Sequence, residues 1–310
     1  MKPFKDYQYI PGTPMSERDK KEVNSKFWNK GKWDNFILPL LPDSCEDMTF
    51  VDVGCNAGLF LKYAKDYGFG KVIGIDSDKG AITKALQYRN ENKGNYTIIE
   101  GTAEKSIDNL PIADVTVLAN IHYYMDVSDW FNYIDKLISK TRYVIIVTDE
   151  ARGNPIHKVS ASRESIYDYF KAWKIINEIS ISGFKDPHPR LLRSFIFRSP
   201  LLDRVFIDEL DNGNAQQRDF YAELDNGIDP LKTGYGKRMK NYRLVEKRQR
   251  WTEVRYIDYM YERKALYESI KEKGLLRPII IKGTRIVDGN HACEIMRHLG
   301  YKSVPVRRVK

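Results

Sequence analysis

The chain has 310 residues, of which 42% are hydrophobic and 12% aromatic, enough for two ordinary buried cores at about 100–200 residues per domain. A mean hydropathy of −0.52 and the lack of any apolar run near the roughly 20 residues of a membrane-spanning helix argue against such a span. The net charge of +9 is unevenly placed: residues 231–310 hold 21 Lys/Arg against 8 Asp/Glu, a balance that favours phosphate-bearing ligands in that part.

Residues 1–24 read as an N-terminal extension. Its opening, MKPFKDYQYIPG, has no apolar signal stretch, so a cytoplasmic location is expected. The segment KFWNKGKWDNFILPLLP follows as an amphipathic lead-in helix, ended by Pro42. From Phe50 to about Arg198, β-branched runs alternate with helical patterns. TFVDVG, KVIGID, YTIIEG, DVTVLAN and YVIIVTD read as buried strands. The segments between them repeat apolar residues every three or four positions, which predicts a parallel sheet covered by helices on both faces. WKIINEISISG and LLRSFIFRS can form an antiparallel pair at its edge. Residues 201–250, rich over 211–245 in Asp, Asn, Gly, Lys and Tyr, read as a linker or lid. In 251–310 a helix ends at Gly274, two short strands follow (RPIIIKG and TRIVDG), then a helix ended by Gly300 and a last strand, KSVPVRRV.

The strongest motif is Val51-Asp52-Val53-Gly54-Cys55-Asn56-Ala57-Gly58, a strand that runs into a glycine loop opening a helix. Glycines there let the backbone turn sharply and approach a ligand. Asp76 ends the next strand, where a carboxylate can accept both ribose hydroxyls of an adenosine. Gly101-Thr102-Ala103-Glu104 follows the third strand, and Asn120-Ile121-His122-Tyr123-Tyr124 follows the fourth. In an open α/β sheet all four segments converge beyond the carboxyl ends of the strands.

Over residues 25–200 this pattern resembles the class I S-adenosylmethionine-dependent methyltransferases. The resemblance implies that Asp52 and the loop carrying Gly54, Asn56 and Gly58 hold the methionine moiety. It further implies that Asp76 binds the ribose, that Ala103 and Glu104 contact adenine, and that Asn120 lies beside the sulfonium. Asn56 replaces the family's usual middle glycine and Thr102 a frequent aspartate; asparagine tolerates positive φ, so the loop survives the first change.

For the acceptor, His122 is the candidate catalytic base, because imidazole titrates near neutral pH. Tyr123 and Tyr124 are candidate walls of the acceptor pocket, and Asp149 and Glu150 candidates for acid–base work or binding of acceptor hydroxyls. Asn120 is followed by Ile-His-Tyr rather than the Pro-Pro-aromatic run of amino-methyltransferases, which favours an oxygen acceptor. No metal is expected: His157 and His188 are isolated, and Cys45, Cys55 and Cys293 form no CxxC pair.

Three C-terminal runs, Ser269–Lys282, Ile286–His291 and Leu299–Val306, are similar in order and pattern to the ParB/sulfiredoxin superfamily. Asp288, Gly289, Asn290 and His291 place free N–H groups at a helix start, a ready anion site. Arg277, Lys282 and Arg297 can add charge-assisted contacts. The resemblance implies ATP or CTP binding, or a kinase. Asn290 stands at the sulfiredoxin cysteine position, and Ala292 where an arginine usually follows the histidine.

The expected fold class is therefore α/β: a Rossmann-like seven-stranded methyltransferase sheet over 25–200, a linker or lid over 201–250, and a small α+β ParB-like domain over 251–310. The expected function is methyl transfer to an oxygen of a small-molecule or glycan acceptor. A second reading is a nucleic-acid methyltransferase steered by the basic segment KRMKNYRLVEKRQRW, which interleaves cations with aromatics. A third is a non-catalytic protein that senses the cofactor.

Overall fold

A computed structural model describes residues 29–149, 158–182, 191–210, 217–246 and 251–309. It divides the chain into two compact units, Met1–Leu201 and Leu202–Lys310.

The first unit is built on strands β1 (Thr49–Val53), β2 (Lys71–Asp76), β3 (Thr97–Glu100), β4 (Ala113–Ala119), β5 (Thr141–Asp149), β6 (Lys174–Ser182) and β7 (Leu191–Arg198). They form one sheet in the order β3-β2-β1-β4-β5-β7-β6. β1 to β5 are mutually parallel, and β7 runs antiparallel to both β5 and β6. The chain order reverses between β1 and β4, and at such a switch point the carboxyl ends of the strands open a crevice.

The helices begin with α1 (Asn29–Lys32), which widens into a π-helical turn over Trp33–Ile37. Next come α2 (Leu59–Tyr67), α3 (Lys79–Glu91), α4 (Ala103–Ser106), α5 (Val127–Leu137) and α6 (Arg163–Tyr169). Their ends follow ordinary rules. Asp78 caps α3, its carboxylate accepting the Ala81 N–H at 2.9 Å, and Ser162 caps α6 through the Ser165 N–H. Two buried layers cover the sheet. One packs Trp130 and Tyr133 with Phe170, Phe195 and Phe197. The other packs Trp33, Phe36 and Ile37 with Phe50, Phe60 and Phe69.

The second unit holds strands β8 (Asp203–Phe206), β9 (Ile279–Lys282), β10 (Arg285–Asp288) and β11 (Ser303–Arg308) in the order β10-β9-β11-β8. Its helices are α7 (Arg218–Asp225), α8 (Gly234–Lys240), α9 (Glu253–Lys273) and α10 (Asn290–His298). The stretch 201–250, expected to be a linker or lid, is built into this unit. β8 pairs antiparallel with β11, Val205 opposite Val304, and Ile207, Phe220, Tyr221 and Tyr235 lie in the core. The apolar residues of this stretch are few and spread among polar ones, so they show no helical or strand period. Among the described residues no helix is long and apolar enough to cross a membrane.

Candidate active site

The glycine loop is shaped by backbone conformation. Gly54 and Gly58 have φ of +75° and +83°, and Asn56 sits at +49°, the region a non-glycine residue enters at least cost as asparagine. The Asn56 side-chain oxygen accepts the Ala57 N–H at 2.8 Å. The N–H groups of Gly54 and Cys55 both donate to the Ile75 carbonyl, at 2.8 and 3.0 Å. This holds the loop against the end of β2.

Asp76 organises the crevice from β2. One carboxylate oxygen accepts the Asn56 N–H at 2.8 Å and the other the Asp78 N–H at 2.9 Å. Each oxygen keeps a second lone pair for a ligand hydroxyl. The Gly101 N–H donates to the Asp76 carbonyl at 2.8 Å, which draws the start of α4, with Ala103 and Glu104, beside the end of β2.

Asp52, in mid-β1, is 1% exposed, and its Oδ2 has no hydrogen-bond partner among the described residues. Burial, reinforced by the charge of Asp76, pushes the Asp52 carboxyl up to about 8, with Lys32 pulling the other way. Asn120, past the end of β4, has φ of +59° and donates its N–H to the Val147 carbonyl at 2.9 Å. In the amide orientation that satisfies its surroundings, its side-chain NH2 donates to the Tyr123 hydroxyl at 3.2 Å and to the Val147 carbonyl at 3.0 Å. Its oxygen then accepts from Lys32 Nζ at 2.9 Å.

Asp52, Asn56, Asp76 and Asn120 thus belong to one polar cluster at the carboxyl ends of β1, β2 and β4. Lys32 joins them. The residues Lys32, Phe36 and Leu40 recur four apart, so a cation bordering the apolar stripe of the lead-in helix is the signal that marks it. Asp52 also explains why its strand carries one acid among apolar residues: a charge this deeply buried needs a partner or a function.

The residues past β4 are placed differently from expectation. The His122 ring is fully buried, 4.1 Å from the Tyr123 ring and 5.6 Å from that of Trp130. It lies within the core rather than facing the crevice. Tyr123 is buried as well, and its hydroxyl bridges strand ends: it lies 3.3 Å from the Thr148 hydroxyl and accepts the Asp149 N–H. Burial pushes its ionisation well above the usual tyrosine range. Tyr124 is exposed and Asp149 half-buried. Glu150, His157, His188 and Trp28 lie outside the described residues.

In the second unit, a cavity of about 540 Å³ opens beside the start of α10. Arg277, Asp288, Gly289, Asn290 and His291 line it, with Arg263 as an unforeseen cation. Gly289 has φ of +96° and Asp288 accepts its N–H at 2.8 Å. The His291 ring contacts the hydroxyls of Tyr221 at 3.5 Å and Tyr259 at 3.1 Å. Burial, and next the Arg263 charge, lowers it to about 4, so it is neutral at pH 7. Two expected members are elsewhere. Lys282 is exposed and does not line the cavity. Arg297 is committed to Glu294 at 3.0 Å and the Ile207 carbonyl at 2.9 Å. Among the described residues no group of His, Cys, Asp and Glu could hold a metal ion.

Comparison with known proteins decides the class of the first unit. Residues 51–146 match a family model described as a methyltransferase domain, and these are the residues that build β1 to β5 and the crevice. The first unit is an S-adenosylmethionine-dependent methyltransferase. A ribosomal RNA small subunit methyltransferase A of Wolbachia pipientis is 22% identical over 234 residues, covering 68% of this chain and 86% of the relative. Among solved structures, the N-methyltransferase NodS from Bradyrhizobium japonicum aligns at 17% identity with a TM-score of 0.42, over 49% of this chain and 86% of its own. A magnesium protoporphyrin IX methyltransferase from Synechocystis aligns at 15% identity with a TM-score of 0.44, over 60% and 87%. The methyltransferase crevice fits its donor in one physical respect above all: Asp52 offers a buried carboxylate oxygen to a ligand where the protein itself offers it no hydrogen bond.

Proposed function

We propose that the crevice at the ends of β1, β2 and β4 is the donor site, and that the methyltransferase unit alkylates an oxygen of a small-molecule or glycan acceptor. The observation that carries the donor site is the buried, unsatisfied Oδ2 of Asp52 inside a positive-φ glycine loop. Bound there, S-adenosylmethionine supplies an electrophilic methyl group. The protein's share of the work is to bind, orient and exclude water. Asp76 takes the ribose hydroxyls, Ala103 and Glu104 flank the adenine, and Gly54, Asn56 and Gly58 line the amino-acid end. Asn120 sits beside the reacting centre, where its oxygen can face a cation.

A hydroxyl acceptor also needs a proton acceptor within about 3 Å. Half-buried Asp149, at the end of β5, is better exposed for this than the buried His122 ring, which we assign to positioning the 120–124 turn. Exposed Tyr124 walls the acceptor side. Replacing Asp76 by alanine should lower affinity for S-adenosylhomocysteine by about 1–3 kcal/mol. Unchanged calorimetric binding would remove the site from this crevice.

A second reading, methylation of RNA, is favoured by two observations: the likeness to the ribosomal RNA enzyme and the basic, aromatic face described below. Incubation with methyl-labelled donor against pools of small molecules, glycans and RNA separates them. Label in the first two supports an oxygen acceptor of low mass; label in RNA alone supports the second reading; tight donor binding with no transfer to any pool leaves a cofactor sensor.

For the second unit we propose that the cavity beside α10 takes a nucleotide such as ATP or CTP, with Arg263, Arg277 and the N–H groups of Gly289 to His291 meeting its phosphates. Calorimetric titration of the full chain with each nucleotide tests this. No heat with either excludes it.

A further inference from the structure

Lys32 is 8% exposed, yet the donor it borders carries a sulfonium and an ammonium. A lysine at that place repels both unless something negative on the ligand meets it. Its position is not an accident of a mobile side chain. The next residue, Trp33, is 4% exposed and lies against the rings of Phe50, Phe60 and Tyr63 at 6.1, 6.0 and 5.6 Å. Phe36, one turn on, is fully buried, and its carbonyl accepts the Ser194 hydroxyl of β7 at 2.6 Å. The helix is thus fixed on the sheet, and Lys32 Nζ reaches the Asn120 oxygen at 2.9 Å. Lys32 also acts electrostatically on Asp52, whose Oδ2 has no hydrogen-bond partner among the described residues.

A fixed anion and a fixed cation, side by side in a crevice, are complementary to one kind of ligand end: an α-amino acid. We propose that Lys32 is the anchor for the donor's α-carboxylate, and that Asp52 takes the α-ammonium. The methyltransferase thereby selects donors with an intact amino-acid end over decarboxylated or truncated ones. This inference rests on the donor-site reading above and deepens it: it assigns a specificity residue from the lead-in helix, outside the glycine loop.

The test is calorimetric binding to the full chain, with no turnover required. The probes are S-adenosylhomocysteine, its decarboxylated analogue 5′-(3-aminopropylthio)-5′-deoxyadenosine, and 5′-methylthioadenosine. Lys32→Met should weaken S-adenosylhomocysteine by about 10–100-fold, as expected for loss of a hydrogen bond to a charged group. The two analogues without a carboxylate should change by less than about threefold. Lys32→Arg should retain most of the preference, and unchanged near-ultraviolet circular dichroism would show both variants folded. Equal losses for all three probes, or no change for S-adenosylhomocysteine, would overturn the assignment. So would tighter binding by Lys32→Met, which would make Lys32 a stand-in for the ligand's ammonium. If the wild-type chain binds none of the probes, the donor site falls and this inference with it. Binding of all three with Lys32→Met indifferent among them removes this inference alone.

Discussion

Asp52 concentrates the physical tension of the methyltransferase unit at one residue. Its carboxyl is raised to about 8 by burial and by the charge of Asp76, while an unfolded chain ionises it near the ordinary value of about 4. Between those two values the folded state binds the extra proton, so stability falls as pH rises through this window. Asp52→Asn removes the titration, and relative to wild type the variant should gain on the order of 2 kcal/mol between pH 5 and pH 8. Urea denaturation at several pH values measures the difference; a constant gap between the two proteins would mean that Asp52 is ionised throughout. Asp52 was legible in the sequence as an acid in an apolar strand ahead of a glycine loop, and Asp76 and Asn120 by their places at strand ends. The depth of His122 was not, because a short turn after a strand has no periodicity to say which of its side chains face inward. Lys32 was visible in the lead-in helix, but its nearness to Asn120 joins residues 88 positions apart and only the fold creates it.

At the scale of elements, local period and capping determine most of what forms. The alternation of apolar strands with helical patterns announced β1 to β5 and the antiparallel β6–β7 pair, because a parallel strand buried on both faces is continuously apolar. β8, α7 and α8 escaped because their burial depends on partners distant in sequence. β8 is short and pairs with β11, about a hundred residues later. α7 is held by Asp225, whose carboxylate accepts from Tyr267 at 2.7 Å and Lys271 at 2.6 Å on α9, and contacts His298 on α10 at 2.9 Å. The hydrogen bonds from Lys271, His298 and Tyr267 hold its ionisation well below the usual carboxylate range. A depressed carboxylate stabilises the fold above its unfolded value, and that contribution is lost as pH falls through about 4 and below. The site is over a third exposed, so water and salt screen it. Asp225→Asn should therefore cost only about 1 kcal/mol at pH 7, with wild type and variant converging below about pH 3. Thermal unfolding of both proteins across that range would show the convergence; a gap that persists in acid would assign the cost to packing instead.

Across the whole molecule the charge is divided as the fold is. The cations are concentrated in the second unit, and on and after α8 they alternate with rings. Lys237, Arg238 and Lys240 are exposed on α8. Arg243 lies 5.1 Å over the Tyr242 ring and 4.8 Å over that of Trp251, and Arg255 lies 5.9 Å from the same indole. Cations that track phosphates and rings on which bases stack are what single-stranded nucleic acid requires. A solvated surface would show the same charges without consequence for binding, so the salt dependence separates the two. If RNA is the acceptor, binding of a single-stranded oligonucleotide should weaken with salt at a log–log slope of about −0.7 per phosphate contacted. Replacing Lys237, Arg238 and Lys240 together by alanine should reduce that slope by about 2, while leaving S-adenosylhomocysteine affinity unchanged. Fluorescence anisotropy from 50 to 300 mM salt reads the slope directly. A wild-type chain that fails to bind RNA at the lowest salt would turn these cations into plain surface, and the methyltransferase would be left with acceptors small enough to enter its own crevice.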